Sequence, residues 1–142
     1  MTDLPRHSVS VTGIVFRDDG RVLAIQRDDD LTWVPPGGVL ELGETIHDGL
    51  RREIKEETGL DVEPVALTGV YKNMTRGIIA LVFRCKITGG ELITTDETAA
   101  YRWVSQDQLC ELADEAYAIR VLDALHADHT PGIREHDGKH LL

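Results

Sequence analysis

Apolar and polar residues alternate near the start of the chain in a way that predicts a β-hairpin. Residues 8–17 (SVSVTGIVFR) are partly alternating and rich in β-branched side chains, and residues 22–27 (VLAIQR) form a second apolar run. Asp18-Asp19-Gly20 separates the two runs. An Asp-Gly pair between such runs favours a tight turn, so we expect two antiparallel strands here.

Helical spacing replaces alternation further along the chain. Leu50 and Ile54 lie four residues apart and predict the buried stripe of a helix from about Thr45 to Thr58. Thr45 with Asp48 resembles a capping pair at the start of this helix, and Gly59 stands where a left-handed C-cap is needed. The segment before the helix, residues 33–38 (WVPPGG), predicts an ordered loop, because its prolines fix φ and its glycines allow conformations closed to other residues.

The second half of the chain predicts more strands and then helices. Strands are expected over residues 62–71, 78–88 and 99–104. Ser105 with Gln108 is typical of a capping box, and helical periodicity continues from there to Leu125. This order predicts an α/β fold in which a mixed sheet, with antiparallel pairs in it, is covered on both faces.

The length of 142 residues fits a single domain over 1–142, with about 1–7 and 128–142 expected to be flexible tails. The C-terminal segment contains two histidine pairs at spacings that could ligate zinc, His126 with His129 and His136 with His140. No cysteine lies nearby and the segment is polar, so we favour a mobile tail over a zinc site. A tail that folds over the functional site stays open.

The composition limits which binding partners and which cellular compartment we expect for this chain. The chain has 25 acidic and 15 basic residues, a formal net charge of -10. Long nucleic acid and anionic membranes need basic surfaces, so neither is expected as a partner. No apolar run approaches the roughly 18 residues that span a bilayer, and the N-terminus lacks a signal-peptide pattern. Cys85 and Cys110 are far apart, which disfavours a disulfide framework and favours a reducing cytoplasm.

Three carboxylates carry the chemistry of the predicted helix. Glu53, Glu56 and Glu57 stand at i, i+3 and i+4, so one helix face brings them together. Like charges this close repel each other and oppose the helix. A divalent cation reverses that cost, because hard cations take oxygen ligands. The cluster therefore predicts a metal site for chemistry on phosphates.

These residues belong to a longer pattern that resembles the Nudix hydrolase family. Its signature is G-x5-E-x7-R-E-U-x-E-E-x-G-U, in which U is a bulky aliphatic residue. The chain matches every fixed position with Gly38, Glu44, Arg52, Glu53, Ile54, Glu56, Glu57, Gly59 and Leu60. The resemblance implies a Nudix-type α/β/α sandwich, with the mixed sheet between helices, and a single Nudix domain.

The resemblance also implies hydrolysis of a nucleoside diphosphate linked to another moiety, with Mg²⁺ required and Mn²⁺ as a substitute. Glu53, Glu56, Glu57 and the Gly38 carbonyl would hold the metal. The ion would neutralise phosphate charge, lower the pKa of a bound water and align it for in-line attack. Arg52 lies one turn before Glu56 and can hold that carboxylate by a bidentate pair.

The general base is not fixed by the motif. Glu53 can serve from within it, and Glu97 in the loop of residues 95–98 is a candidate for a further metal ligand or for the base. Asp96 is the rival of Glu97. Glu44 either supports the metal ligands from behind the first layer of contacts or simply interacts favourably with the positive N-terminal end of the helix dipole.

Substrate binding is assigned to residues beside the motif and outside it. The assigned residues are Arg27, Gly37, Gly38 and Arg76, with Arg84 and Arg102 as further possible phosphate contacts. Arg27 is preferred, because it ends a strand just before the loop that leads to the site.

The substrate itself is predicted least directly. The short chain favours a nucleoside triphosphate pyrophosphohydrolase that releases a nucleoside monophosphate. Residues 75–78 lack the proline and the tyrosine that mark family subgroups for ADP-ribose and dinucleoside polyphosphates. Hydrolysis of ADP-ribose, a nucleotide sugar or a dinucleoside polyphosphate is the near alternative. A nucleotide-sensing Nudix module without activity is the alternative from another class, and the intact motif disfavours it. Members of the family are often homodimers, but no residue of this sequence indicates the oligomeric state.

Overall fold

The computed structural model describes residues 3–93, 96, 98–126 and 130–142. These residues form eight strands and three helices. The strands are β1 (Ser8–Phe16), β2 (Val22–Arg27), β3 (Trp33–Val34), β4 (Gly37–Val39), β5 (Leu60–Asn73), β6 (Ile78–Gly90), β7 (Thr98–Val104) and β8 (Gly132–His136). The helices are α1 (Ile46–Thr58), α2 (Gln106–Leu112) and α3 (Glu115–Leu125).

The strands form one mixed sheet in the order β3-β2-β1-β6-β5-β8, with β4 paired to β1 and β7 paired to β2. Two pairs are parallel, β1 with β6 and β5 with β8. The remaining pairs are antiparallel, including the predicted β1–β2 hairpin and the long β5–β6 pair. The sheet is therefore mixed, as the sequence predicts.

The two faces of the sheet bury two separate apolar cores. Ile54 of α1 is fully buried and packs with Val15 of β1 on one face. Ile14, the neighbour of Val15, lies in the other core with Leu109 of α2 and Val121 of α3. Because successive strand residues face opposite sides, one strand serves both cores. The α/β/α sandwich predicted from the sequence is confirmed. No helix in the described ranges is long and apolar enough to cross a membrane.

Segment 33–38 differs from the predicted loop. It contains the short strands β3 and β4, which pair with β2 and β1. Gly37 lies opposite Thr12, and a Cβ at Gly37 would overlap the backbone of β1. The absence of a side chain thus lets this segment join the sheet, whereas the sequence analysis assigned its glycines to the special backbone conformations of an ordered loop.

The C-terminal segment also differs from its prediction. A flexible tail was expected over residues 128–142, yet Gly132–His136 forms β8 at the edge of the sheet. The side chain of Arg134 donates two hydrogen bonds to Asp123 of α3, at 2.8 and 2.7 Å. This bidentate pair and the register with β5 hold the strand in place.

Candidate active site

Helix α1 is closed at both ends, and this fixes the direction of its carboxylates. The Thr45 hydroxyl accepts a hydrogen bond from the amide of Asp48 at 3.2 Å. Gly59 follows the helix with φ of 80° and donates its amide to the carbonyl of Lys55. The predicted N-cap and C-cap are both confirmed, and they position the last two turns, where the three glutamates lie.

The last turn of α1 is also fixed by β7. The main-chain carbonyl of Glu57 accepts hydrogen bonds from the hydroxyls of Thr98 and Tyr101, at 3.1 and 2.9 Å. The Glu57 side chain accepts the Gly37 amide at 3.2 Å, so backbone and carboxylate are both oriented. Glu57 is only 8% exposed.

Gly38 lies directly against the carboxylate of Glu53. A methyl group at Gly38 would overlap the Glu53 side chain. The Glu53 side chain is 13% exposed, whereas that of Glu56 is 57% exposed. The glycine-containing segment and α1 thus bring two glutamates, Glu53 and Glu57, to one place.

Arg52 differs from its prediction. The expected bidentate partner was Glu56, but the two strongest bonds of the guanidinium go to Glu44, at 2.8 and 2.7 Å. Glu53 and Glu56 each accept one bond, at 3.0 and 3.2 Å. The hydrogen bonds from Arg52 lower the pKa of Glu44 to about 2. Glu44 therefore anchors the arginine, and Arg52 in turn positions Glu53 and Glu56.

A cavity of about 700 Å³ opens beside these groups. Its lining includes most of the residues proposed from the sequence, namely Arg27, Gly37, Gly38, Glu53, Glu57, Arg76 and Asp96. Arg52 and Glu56 are outside that lining, and Arg52 reaches the cluster through its hydrogen bond to Glu53. Glu97 lies outside the described residues.

The two arginines proposed for phosphate binding differ in their partners. Arg27 donates two hydrogen bonds to Asp29, at 3.1 and 2.9 Å, so its charge is already paired. Arg76 is exposed at the cavity, and no described carboxylate pairs with its guanidinium. The geometry therefore favours Arg76 over Arg27 as a free cation for a phosphate group.

The cavity lining also includes residues that the sequence analysis did not assign to the site, among them Thr12, Asn73, Tyr117, Arg120 and His136. Arg120 lies in α3 four residues from both Ala116 and Ala124, which are buried. An arginine within that apolar stripe was the signal available in the sequence, because such a position places its charge inside the protein. His136 was assigned to the tail, so its place in β8 was not foreseen.

The donor set suits a hard divalent cation. Carboxylate and carbonyl oxygens are the ligands that Mg²⁺ prefers, and Glu53, Glu57 and Gly38 supply such groups at the cavity wall. Within the described ranges, no three His, Cys, Asp or Glu side chains already converge as a coordination set. Glu56 would complete the trio by turning from Arg52 towards its neighbours.

The family assignment follows from the motif in this setting. The family model for the NUDIX domain matches residues 6–125 of this chain. The chain belongs to the Nudix hydrolase family. Enzymes of this family hydrolyse phosphorus-containing anhydrides of small nucleotide derivatives and generally use divalent cations, so this chain is a Nudix pyrophosphohydrolase.

Relatives of this Nudix hydrolase carry different names. A MutT-like protein from Streptomyces ambofaciens is 57% identical over 141 residues, covering 99% of this chain and 91% of that protein. An ADP-ribose pyrophosphatase from Methanocaldococcus jannaschii is 35% identical, covering 75% of this chain and 66% of its own. A putative 8-oxo-dGTP diphosphatase from Bacillus subtilis is also 35% identical, and the match covers 68% of this chain and 65% of that protein.

The fold is shared with solved Nudix structures. The crystal structure of an ADP-ribose pyrophosphatase from Streptococcus suis superimposes with a TM-score of 0.75 and 25% sequence identity. The match covers 90% of this chain and 98% of that one. The sheet and the helices that carry the site are therefore those of the family.

Replacing Gly38 with alanine should displace the Glu53 carboxylate, because the added methyl group overlaps it. A shift of about 1 Å in a catalytic group can cost about 10²-fold in rate, and we expect a loss of kcat/KM of that order. The melting temperature should stay near that of the wild type. Gly43→Ala is the control, since a Cβ there meets no atom within 4 Å. Equal activity of the two variants would exclude the proposed role of Glu53.

Proposed function

We propose that this Nudix hydrolase cleaves a nucleoside triphosphate to a nucleoside monophosphate and pyrophosphate, with Mg²⁺ as the cofactor and Mn²⁺ as a substitute. The supporting observation is the charge distribution of the cavity. Helix α1 contributes Glu53 and Glu57, while Arg76 contributes a guanidinium group that pairs with no described carboxylate. Metal ligands together with an unpaired cation suit a polyphosphate chain in a protein whose net charge is -10.

The name of one relative supports a triphosphate as well. A 35% identical protein is named a putative 8-oxo-dGTP diphosphatase. ADP-ribose is the second candidate, because the protein from Methanocaldococcus jannaschii is named for that substrate. Both substrates carry the diphosphate bridge on which the family acts.

The proposed mechanism assigns a task to each group around the diphosphate. Glu53, Glu56, Glu57 and the Gly38 carbonyl would hold the divalent cation. When bound, that cation neutralises phosphate charge and makes a water molecule more acidic. Glu53 accepts a proton from the attacking water, with Glu97 as the alternative base. The Gly37 amide keeps the Glu57 carboxylate turned towards the cavity.

Binding and positioning fall to the arginines. Arg76 donates to phosphate oxygens from the open side of the cavity, where it has room to reorient. Arg52 does not touch the substrate and instead holds Glu53 through the 3.0 Å bond. Because Arg52 is itself held by Glu44, the Glu53 carboxylate keeps its position through turnover.

A hydrolysis panel tests the proposal. The purified protein is supplied with Mg²⁺ and equal concentrations of the eight common nucleoside triphosphates, ADP-ribose, nucleotide sugars and dinucleoside polyphosphates. We expect the highest kcat/KM with a triphosphate and the products monophosphate and pyrophosphate. Reaction in ¹⁸O-labelled water locates the phosphorus attacked. A preference for ADP-ribose over every triphosphate would replace the first candidate with the second.

A further inference from the structure

Arg120 is a buried cation that pairs with no carboxylate in the described part of the chain. The residue is 6% exposed and lines the cavity from α3. The rings of Tyr71 and Tyr117 cover its guanidinium, at 5.1 and 4.8 Å from the ring centroids. One terminal nitrogen donates to the Thr12 hydroxyl at 3.4 Å, but Nε has no hydrogen-bond partner among the described residues. A buried, unsatisfied donor of this kind is costly, which indicates a ligand that completes it.

His136 lines the same cavity and carries a second buried donor. The residue is 1% exposed, and its Nδ1 accepts the Gly138 amide at 2.9 Å. Since Nδ1 is an acceptor, the neutral ring carries its proton on Nε2. That nitrogen has no hydrogen-bond partner in the described part of the chain. Burial, and then the charge of Arg120, lower the pKa of His136, so the ring is neutral near pH 7.

The two donors are held in place by neighbouring elements. Asp123 of α3 accepts hydrogen bonds from the Tyr71 hydroxyl at 2.6 Å and from Arg134 of β8. This carboxylate therefore links α3, which carries Arg120, to β8, which carries His136. The donors therefore belong to one packed wall of the cavity, and donors positioned in advance can discriminate between ligands.

The chemistry of the wall points to a base edge. Two N–H donors require two acceptors, and the edge of a 6-oxopurine offers the O6 and N7 acceptors side by side. Adenine offers N7 but places an amino donor at position 6, where it would face another donor. A phosphate would also accept two bonds. However, the faces of this guanidinium are covered by aromatic rings, and Ile78, Ala80 and Tyr117 line the cavity with it, which suits a planar base better than a hydrated anion.

We infer that Arg120 and His136 form a base-recognition subsite that selects guanine-type nucleotides through the O6 and N7 acceptors. This inference rests on the proposed function, because it names the base of the triphosphate that the carboxylates act on. The subsite explains why a charged residue lies within the apolar face of α3.

The first test changes the ligand and leaves the protein intact. Values of kcat/KM are measured for dGTP, dATP and 7-deaza-dGTP, which replaces N7 with a carbon. We expect dGTP to exceed dATP by about 10- to 100-fold and 7-deaza-dGTP to fall between them, in keeping with the discrimination typical of a paired donor set. Equal values for dGTP and dATP would overturn the inference.

The second test changes the donors. His136→Phe keeps a ring but removes the N–H, and Arg120→Lys keeps the charge but removes Nε–H. Both should reduce the dGTP/dATP ratio towards one, and the variant that loses the donor to N7 should also abolish the difference between dGTP and 7-deaza-dGTP. His136→Gln, which retains an N–H donor, should restore part of the ratio. Arg17→Gln is the control, because Arg17 stacks on Trp103 at 5.0 Å outside the cavity lining. Equal loss with dGTP and dATP would assign the pair to phosphate binding or to structure and overturn the inference.

A binding measurement separates this inference from the proposed function. Dissociation constants of dGMP and dAMP are measured by calorimetry, which needs no hydrolysis. Tighter binding of dGMP would uphold the subsite even if no triphosphate were cleaved, and the proposed function alone would then fail. Triphosphate hydrolysis with equal binding of the two monophosphates would reject the subsite alone.

Discussion

Replacing Glu57 with glutamine is expected to lower kcat/KM by about 10²- to 10⁴-fold, the range that loss of one charged catalytic group typically costs. The fold should persist, because the glutamine carbonyl can still accept the Gly37 amide. The main-chain bonds from Thr98 and Tyr101 to residue 57 are also independent of the side chain. Steady-state kinetics at saturating Mg²⁺, with the melting temperature measured in parallel, checks both statements.

Two further variants test whether the loss of activity is specific to the carboxylate cluster. Glu111→Gln is the control, since Glu111 is an exposed glutamate of α2 outside the cavity lining, and its activity should equal that of the wild type. Glu56→Gln should lose activity to a degree similar to Glu57→Gln if Glu56 turns from Arg52 to the cation. Full activity of Glu57→Gln would show that the cluster is not the metal site.

Removing the Asp123 carboxylate is expected to cause a large loss of stability. Asp123→Ala leaves the buried Tyr71 hydroxyl and the Arg134 guanidinium without their acceptor. Unsatisfied buried donors and lost charged hydrogen bonds together typically cost about 2–4 kcal/mol. For a chain of this size that corresponds to a fall in melting temperature of roughly 6–12 °C. Urea unfolding measures the free energy directly, and the exposed Asp18→Asn serves as the control.

The same variant should show a defined pH dependence. Burial raises the pKa of Asp123, but the hydrogen bonds from Arg134 and Tyr71 outweigh it, so the net pKa lies below the usual value of 3.8. A depressed pKa means that the ionised group stabilises the folded state above the unfolded pKa and loses this effect as the pH falls through the folded one. The stability difference between wild type and Asp123→Ala should therefore be constant near neutral pH and shrink below about pH 4. A difference that grew on acidification would contradict the assignment.

Much of the fold could be predicted from local sequence signals. The Asp-Gly turn, the Thr45 and Gly59 caps and the Ser105 capping box each predicted an element that the structure contains. These signals depend on neighbouring residues, so a single sequence is enough to recognise them. The complete motif added the family, because its spacing is set by one helix and the segment before it.

Features that depend on distant residues were not predictable in the same way. The sequence offered Glu56 as the partner of Arg52 at helical spacing, but the preceding segment brings Glu44 closer. Strand β8 is short and has a polar pattern, and it forms only because β5 offers an edge and Asp123 binds Arg134. His136 enters the cavity as a consequence of that pairing. Tertiary context decides such contacts, and no local propensity encodes them.

The proposed function requires that Glu53, Glu56, Glu57 and the Gly38 carbonyl hold a divalent cation against the phosphates of a nucleotide. Anomalous diffraction from crystals grown with Mn²⁺ and a non-hydrolysable dGTP analogue locates that cation. We expect manganese peaks about 2.1 Å from these oxygens. Manganese bound only elsewhere, with the nucleotide present, would contradict this metal site.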